Sequence, residues 1–170
     1  ETGLHTQRIY DAELWIISPG ISKNSRIVKK ANKKRIKCIS EIEFASKYTS
    51  SPIIAVTGSN GKTTTCHMLN NMLNGSGVKP ILSGNLGVPF SETVLQQLKK
   101  PSKNVYFILE VSSFQLEKIE HFKPNYAVFT NISPDHLDRH ETMSEYIKMK
   151  LRLTKNISHN DYIIYNQDDT

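Results

Sequence analysis

Gly58, Gly61, Lys62 and Thr63 stand together in AVTGSNGKTTT, residues 55–65, and their types and spacing suit a phosphate chain. Glycines let the backbone approach phosphate oxygens with no Cβ in the way. A lysine adds a point charge, and a threonine hydroxyl can reach a Mg²⁺ ion. The phosphate-loop pattern G-x-x-x-x-G-K-[ST] has one further glycine, and Val56 occupies its place here. The loop is shorter, yet the amides, the charge and the hydroxyl remain. Gly58, Ser59, Asn60, Gly61, Lys62, Thr63 and Thr64 are therefore the candidate phosphate cradle. A plain strand–turn–helix is the alternative reading of the same residues.

Two further clusters carry chemistry. Glu110 follows the apolar run YFIL and opens EVSSFQL. A carboxylate at the carboxyl end of a buried strand faces the crevice where open α/β sheets bind ligands, and once buried it needs a cation or metal. NISPDHLDRH, 131–140, follows the run YAVFT and crowds Asp135, His136, Asp138, Arg139 and His140 into six residues. That density suits metal and phosphate ligation better than packing. A salt-bridged glutamate and a polar surface loop are the plainer readings of the two.

The elements that must position these residues are legible as alternating apolar runs and helical patterns. Strands are expected at 13–18, 36–40, 52–57, 79–83, 104–113, 126–133 and 161–166. Helices are expected at 25–34, around EIEFASKY, at 62–73, 91–100 and 141–157. In the 62–73 helix Met68, Leu69, Met72 and Leu73 recur at helical spacing. Strands alternating with helices predict an α/β fold, a mainly parallel sheet with helices on both faces. TSSP, 49–52, is the expected domain boundary, dividing 1–50 from 51–170.

The chain has 170 residues, 38% hydrophobic and 22% charged, a globular rather than disordered composition. No run approaches the roughly 18–20 apolar residues of a membrane helix, and no membrane partner is expected. Cys38 and Cys66 have neither metal-ligand nor disulfide spacing, which reads as a reducing, cytoplasmic setting. Much of the +6 net charge lies in VKKANKKRIK, 28–37. No aromatic residues interleave with those lysines to stack on bases, so a solvated helix face is preferred to a nucleic-acid site. The chain starts at Glu1 without a methionine, read here as an N-terminal cut.

TGSNGKTT, SGNLGVP, LEVSSFQL and NISPDHLDRH, in this order, resemble the ATP-dependent Mur ligases of peptidoglycan synthesis. EVSSFQL and the upstream ISPGIS (17–22) resemble the branch of that family that adds D-glutamate to UDP-N-acetylmuramoyl-L-alanine. The resemblance implies a Rossmann-like UDP-sugar domain ending near residue 50. It is followed by the first part of a P-loop-type central ATP-binding domain, with adenine-side and C-terminal parts lying beyond Thr170. It implies ATP and two Mg²⁺ as cofactors and an acyl-phosphate route. Residue by residue, it implies Lys62 and the loop amides on the β- and γ-phosphates, and Thr63 and Glu110 on one Mg²⁺. His136 falls to the other Mg²⁺ and to the reacting substrate, and Asn85 and Gly20 to the UDP-linked substrate. Lys150 matches a lysine that the family carbamylates into a metal ligand. By its helix alone it would be read as solvated surface. Asp135 and Asp138 are expected to shape their loop. The full-length protein is expected to be a monomer. Another amide ligase of the same superfamily, adding a different amino acid or glutamates to folate, stays open, as does a non-catalytic nucleotide-binding module.

Overall fold

The computed structural model describes residues 5–85 and 87–169, with the side chains of Leu137 and Asp138, and so the expectation for Asp138, outside that description. Two parallel sheets follow one another along the chain. The first pairs β1 (Leu14–Ile17) with β2 (Lys37–Ser40). They are joined through α1 (Arg26–Lys33), whose first turn is capped by the Ser25 side chain accepting from Val28 N. Val28 and Ala31 face inward while Lys29, Lys33 and Lys34 are exposed. The basic run is thus a helix's solvated side.

After α2 (Glu41–Ser46) comes the larger sheet: β3 (Ile53–Thr57), β4 (Lys79–Gly84), β5 (Val105–Glu110), β6 (Tyr126–Phe129) and β7 (Tyr162–Tyr165). Its spatial order is β4-β5-β3-β6-β7, parallel throughout. Crossovers carry α3 (Lys62–Leu73), α4 (Phe90–Lys99), α5 (Ser113–Leu116), α6 (Leu137–His140) and α7 (Met143–Leu151). The central strand β3 is buried along its whole length, the reason it reads IIAVT with no polar alternation. The order matters for function. It places the carboxyl ends of β5, β3 and β6 side by side, so the three chemical clusters meet along one rim.

Two cores flank the sheet. Ala55, Phe107, Leu109, Phe90 and Leu116 lie on one face; Val56, Ile108 and Cys66 lie on the other. Phe90 and Phe107 meet edge-on with centroids 5.2 Å apart, and truncating either to Ala would cost about 3–5 kcal/mol. Ile42 and Ala45 of α2 belong to the first core, so this helix packs on the larger sheet although it precedes TSSP. On α3, Leu69 and Leu73 pack inward, whereas Met68 and Met72 are exposed. The expected four-residue face is half that wide, because only one stripe of α3 meets the sheet. The 141–157 helix breaks into α7 and a 3-10 turn, Arg152–Thr154. Among the described residues no helix is long and apolar enough to cross a membrane.

Candidate functional site

The cradle forms where β3 ends. Gly58 (φ 150°) and Gly61 (φ 78°) occupy the left-handed half of backbone space, which glycine enters at least cost. At Gly58 a Cβ would collide with the Thr130 side chain. Gly61 caps α3 without a side-chain hydrogen bond. The first amides of this helix therefore face outward with the positive end of its dipole.

The loop is held from the neighbouring strand. Ser59 N donates to Asn131 O at 2.9 Å, Asn60 N to Asn131 Oδ1 at 2.9 Å, and Thr130 Oγ1 to Asn60 O at 2.7 Å. Ser59 Oγ bonds Ser133 O at 2.8 Å and lies 3.0 Å from Tyr146 Oη. Asn131, Ser133 and Tyr146 buttress the loop and were not singled out from the sequence. The one signal for Tyr146 was its place four residues before Lys150 on the same helix.

Lys62 Nζ curls back onto its own loop, donating to Gly58 O at 2.9 Å and Ser59 O at 2.8 Å. Thr63 Oγ1 donates to Glu110 Oε2 at 2.7 Å, and Asn85 Nδ2 to Glu110 Oε1 at 2.9 Å. Glu110 is 4% exposed, and among the described residues it has no ion-pair partner. A buried carboxylate supplied only with neutral donors lacks a counter-charge. Beside it stands a threonine hydroxyl, another hard oxygen. This donor pair fits a hard divalent cation. The charge of Glu110 also adds to burial in pushing the Cys66 thiol up to about 12, with Lys62 opposing.

Lys150 corrects the surface reading of its helix: it is 2% exposed. Its Nζ donates to Gly58 O at 2.7 Å and lies 4.4 Å from the Tyr146 ring centroid. Burial, then repulsion from Lys62, bring its pKa down to about 8, with Asp135 acting the other way. Unmodified, it is a hydrogen-bond donor and no metal ligand.

His136 immediately precedes α6 in left-handed geometry, φ 51°. Its side chain is 51% exposed, with Nε2 3.4 Å from Asp135 and the ring 5.0 Å from Phe114. Among the described residues no three His, Cys, Asp or Glu gather as a metal group. His140, next to it in the fold, pairs its Nε2 with Ser113 Oγ at 2.9 Å and stacks on Phe114. Burial lowers its pKa, Glu117 opposing. Gly20 is exposed, and its carbonyl accepts from Arg139 at 3.3 Å. Thr64 is exposed on the first turn of α3.

The rim therefore joins a phosphate-type loop after β3, a carboxylate–hydroxyl pair from β5 and α3, and a buried lysine from α7. Residues 56–170 match the Mur ligase middle domain. The chain belongs to the Mur ligase family. Curated relatives named UDP-N-acetylmuramoylalanine–D-glutamate ligase include one from Christiangramia forsetii, 41% identical over 97% of this chain and 36% of the relative. Another, from Thermoanaerobacter pseudethanolicus, is 41% identical over 92% of this chain and 34% of the relative. The chain thus spans a minor part of these Mur ligases.

Solved structures share the fold. The UDP-N-acetylmuramate:L-alanyl-gamma-D-glutamyl-meso-diaminopimelate ligase from Neisseria meningitides superposes with TM-score 0.64 at 19% identity, over 96% of this chain and 54% of its own. A Mur ligase solved in complex with ADP, MurF from Thermotoga maritima, gives 0.57 at 16% identity, over 96% and 48%.

Proposed function

We propose that the full-length protein containing this chain joins D-glutamate to UDP-N-acetylmuramoyl-L-alanine in an ATP-dependent reaction of peptidoglycan synthesis. The observation that carries it is the buried Glu110, bonded by Thr63 and Asn85, beside an uncapped glycine-loop helix. The 41% identity to relatives named for D-glutamate addition supports the substrate choice. We place the enzyme in the cytoplasm, acting as a monomer. Residues 1–50 belong to its UDP-sugar domain and 51–170 to its central ATP-binding domain.

In this reading the substrate carboxylate oxygen attacks the γ-phosphorus of ATP and expels ADP. The amine of D-glutamate then attacks the acyl carbon, loses a proton, and expels inorganic phosphate. Such transfers need positioning and charge neutralisation above all. With Ser59 N and Asn60 N engaged by Asn131, the amides from Gly61 to Thr64 cradle the phosphates, and Lys62 turns from its own loop carbonyls toward the γ-phosphate. Gly20 and Asn85 contact the UDP-linked substrate, and His136 orients its carboxylate. Thr63 and Glu110 would hold one Mg²⁺; His136 and Lys150, the latter as a carbamate, would hold the second. Mg²⁺ supplies charge neutralisation on the phosphates. A Lys150 pKa near 8 leaves a share of neutral amine at physiological pH, the form that adds CO₂ and releases a proton.

The test is phosphate release by the full-length protein with ATP, Mg²⁺, UDP-N-acetylmuramoyl-L-alanine and single amino acids. Release is expected with D-glutamate and not with L-glutamate, L-alanine or meso-diaminopimelate. Release with another amino acid would make it a different Mur-type ligase. Nucleotide binding without turnover under every condition would make it a binding module. The 170-residue chain alone is expected to form no product.

A further inference from the structure

Among the described residues, Arg139 is the side chain whose hydrogen bonds join the loop after β1 to the larger sheet's loops. Its Nη2 lies 3.1 Å from Pro19 O and 3.5 Å from Ile21 O, and its Nη1 lies 3.3 Å from Gly20 O. On its other side it meets Glu117 Oε2 at 3.6 Å and lies over the Phe114 ring, 4.9 Å from the centroid. The Arg139 and Glu117 side chains are 24% and 17% exposed. The arginine therefore sits in a seam, not on open surface. It is also one turn from His136, whose carbonyl accepts from Arg139 N at 3.0 Å.

Three successive carbonyls converging on one guanidinium call for a planar fork of donors. Lysine, a point charge on a flexible stem, cannot span them. The ring beneath and the carboxylate beside fix the plane of that fork. Among the described residues, the loop's other hydrogen bonds are local: Ile21 N to Ser18 O and Ser25 N to Ser22 O, both 3.0 Å, and Asn24 N to Ser22 Oγ at 3.1 Å.

We propose that Arg139 is a positioning residue, which fixes the Pro19–Ile21 loop against the start of α6 and so sets the UDP-linked substrate in register with His136. This rests on the proposed reading of Gly20 and His136. It adds a residue whose side chain acts through the loop backbone, without touching the reacting atoms.

Two measurements test it. The first is hydrogen exchange on the full-length protein and its Arg139→Ala and Arg139→Lys variants. Both variants should exchange residues 18–25 at least about fivefold faster, with β5 amides unchanged, since only a local opening is released. The second is steady-state kinetics of the full-length protein. Both variants should raise KM for the UDP-linked substrate by about tenfold or more and leave KM for ATP within about twofold. Unchanged exchange in the loop, equally raised KM for both substrates, or faster exchange in β5 as well would overturn the proposal. Wild-type behaviour of Arg139→Lys would overturn the argument from the fork. If wild-type full-length protein turns over no UDP-linked substrate, the functional reading fails on its own, and the exchange result alone decides whether Arg139 clamps the loop.

Discussion

Lys62 and Lys150, 88 positions apart in the chain, donate to the same acceptor. Their ammonium nitrogens lie 2.9 and 2.7 Å from the carbonyl oxygen of Gly58. Lys150 is the buried one of the two; burial disfavours its charge, the nearby Lys62 repels it, and its pKa falls to about 8.

This arrangement has a pH signature. Unfolded, Lys150 keeps its proton up to the ordinary 10.5; folded, it gives it up near 8. Between these values the unfolded state binds more protons, so stability rises with pH across that window, and below it the buried charge is a standing cost. Lys150→Met should stabilise the chain by roughly 1–3 kcal/mol at pH 7, and the gain should fade toward pH 10. Urea unfolding at the two pH values checks both.

In the full-length protein the same lysines should be needed for turnover. Lys62→Ala should lower kcat on the order of 10²-fold or more, as when a preorganised electrostatic contact is removed. Lys150→Ala should also be impaired, and a short carboxylic acid should restore part of the rate by supplying the missing oxygens. Intact mass of active enzyme showing only unmodified lysine would contradict the carbamate role.

Glu110→Gln keeps the shape of the side chain and removes the charge. Phosphate release by the full-length variant should need markedly more Mg²⁺ than wild type, because a neutral amide oxygen is a weaker ligand. A Mg²⁺ dependence identical to wild type would remove Glu110 from the cation site.

Gly84 ends β4 beside Glu110, at φ 105°, and a Cβ there would collide with the Glu110 main chain. Gly77 has a similar φ of 89° but open space around it. Gly77→Ala should cost about 1 kcal/mol, from left-handed strain alone. Gly84→Ala should cost at least about 2 kcal/mol and displace the carboxylate, so that Mg²⁺-dependent ATP use falls with it. Thermal unfolding and phosphate release separate the two effects.

Asp161 carries an acid-side signature. Lys123 Nζ lies 2.8 Å away, and the Ser158 hydroxyl and amide donate at 2.6 and 2.9 Å. Its pKa falls to about 2 from 3.8, first through the Lys123 bond and then through Ser158. That contribution to stability is present above 3.8 and disappears as pH falls through 2. Asp161→Asn should lower Tm at pH 7 and match wild type near pH 2.

Local pattern was enough for much of the fold. The helix Lys62–Leu73 has the bounds read from its periodicity, and the strands at 53–57, 79–84, 105–110 and 162–165 lie close to those read from apolar runs. Spacing within a dozen residues also exposed the loop, Glu110 and the NISPDH turn as chemical clusters. Strand order was beyond such patterns. Only the β5-β3-β6 arrangement makes the three clusters neighbours, because adjacency across a parallel sheet depends on crossover connections of about a dozen residues or more.

Lys150 shows the boundary most sharply. Its local pattern says that a lysine stands on a helix after β6, where ordinary helix statistics put charge in water. Tertiary packing decided that this helix turns Tyr146 and Lys150 beneath the phosphate loop, onto the carbonyl of Gly58. The same holds for Arg139, whose reach to Pro19–Ile21 spans about 120 positions. Periodicity records which side of an element is apolar. It carries no information about which distant backbone carbonyl will be left facing that side, and the free energy of a buried cation is set by that carbonyl and the charges around it.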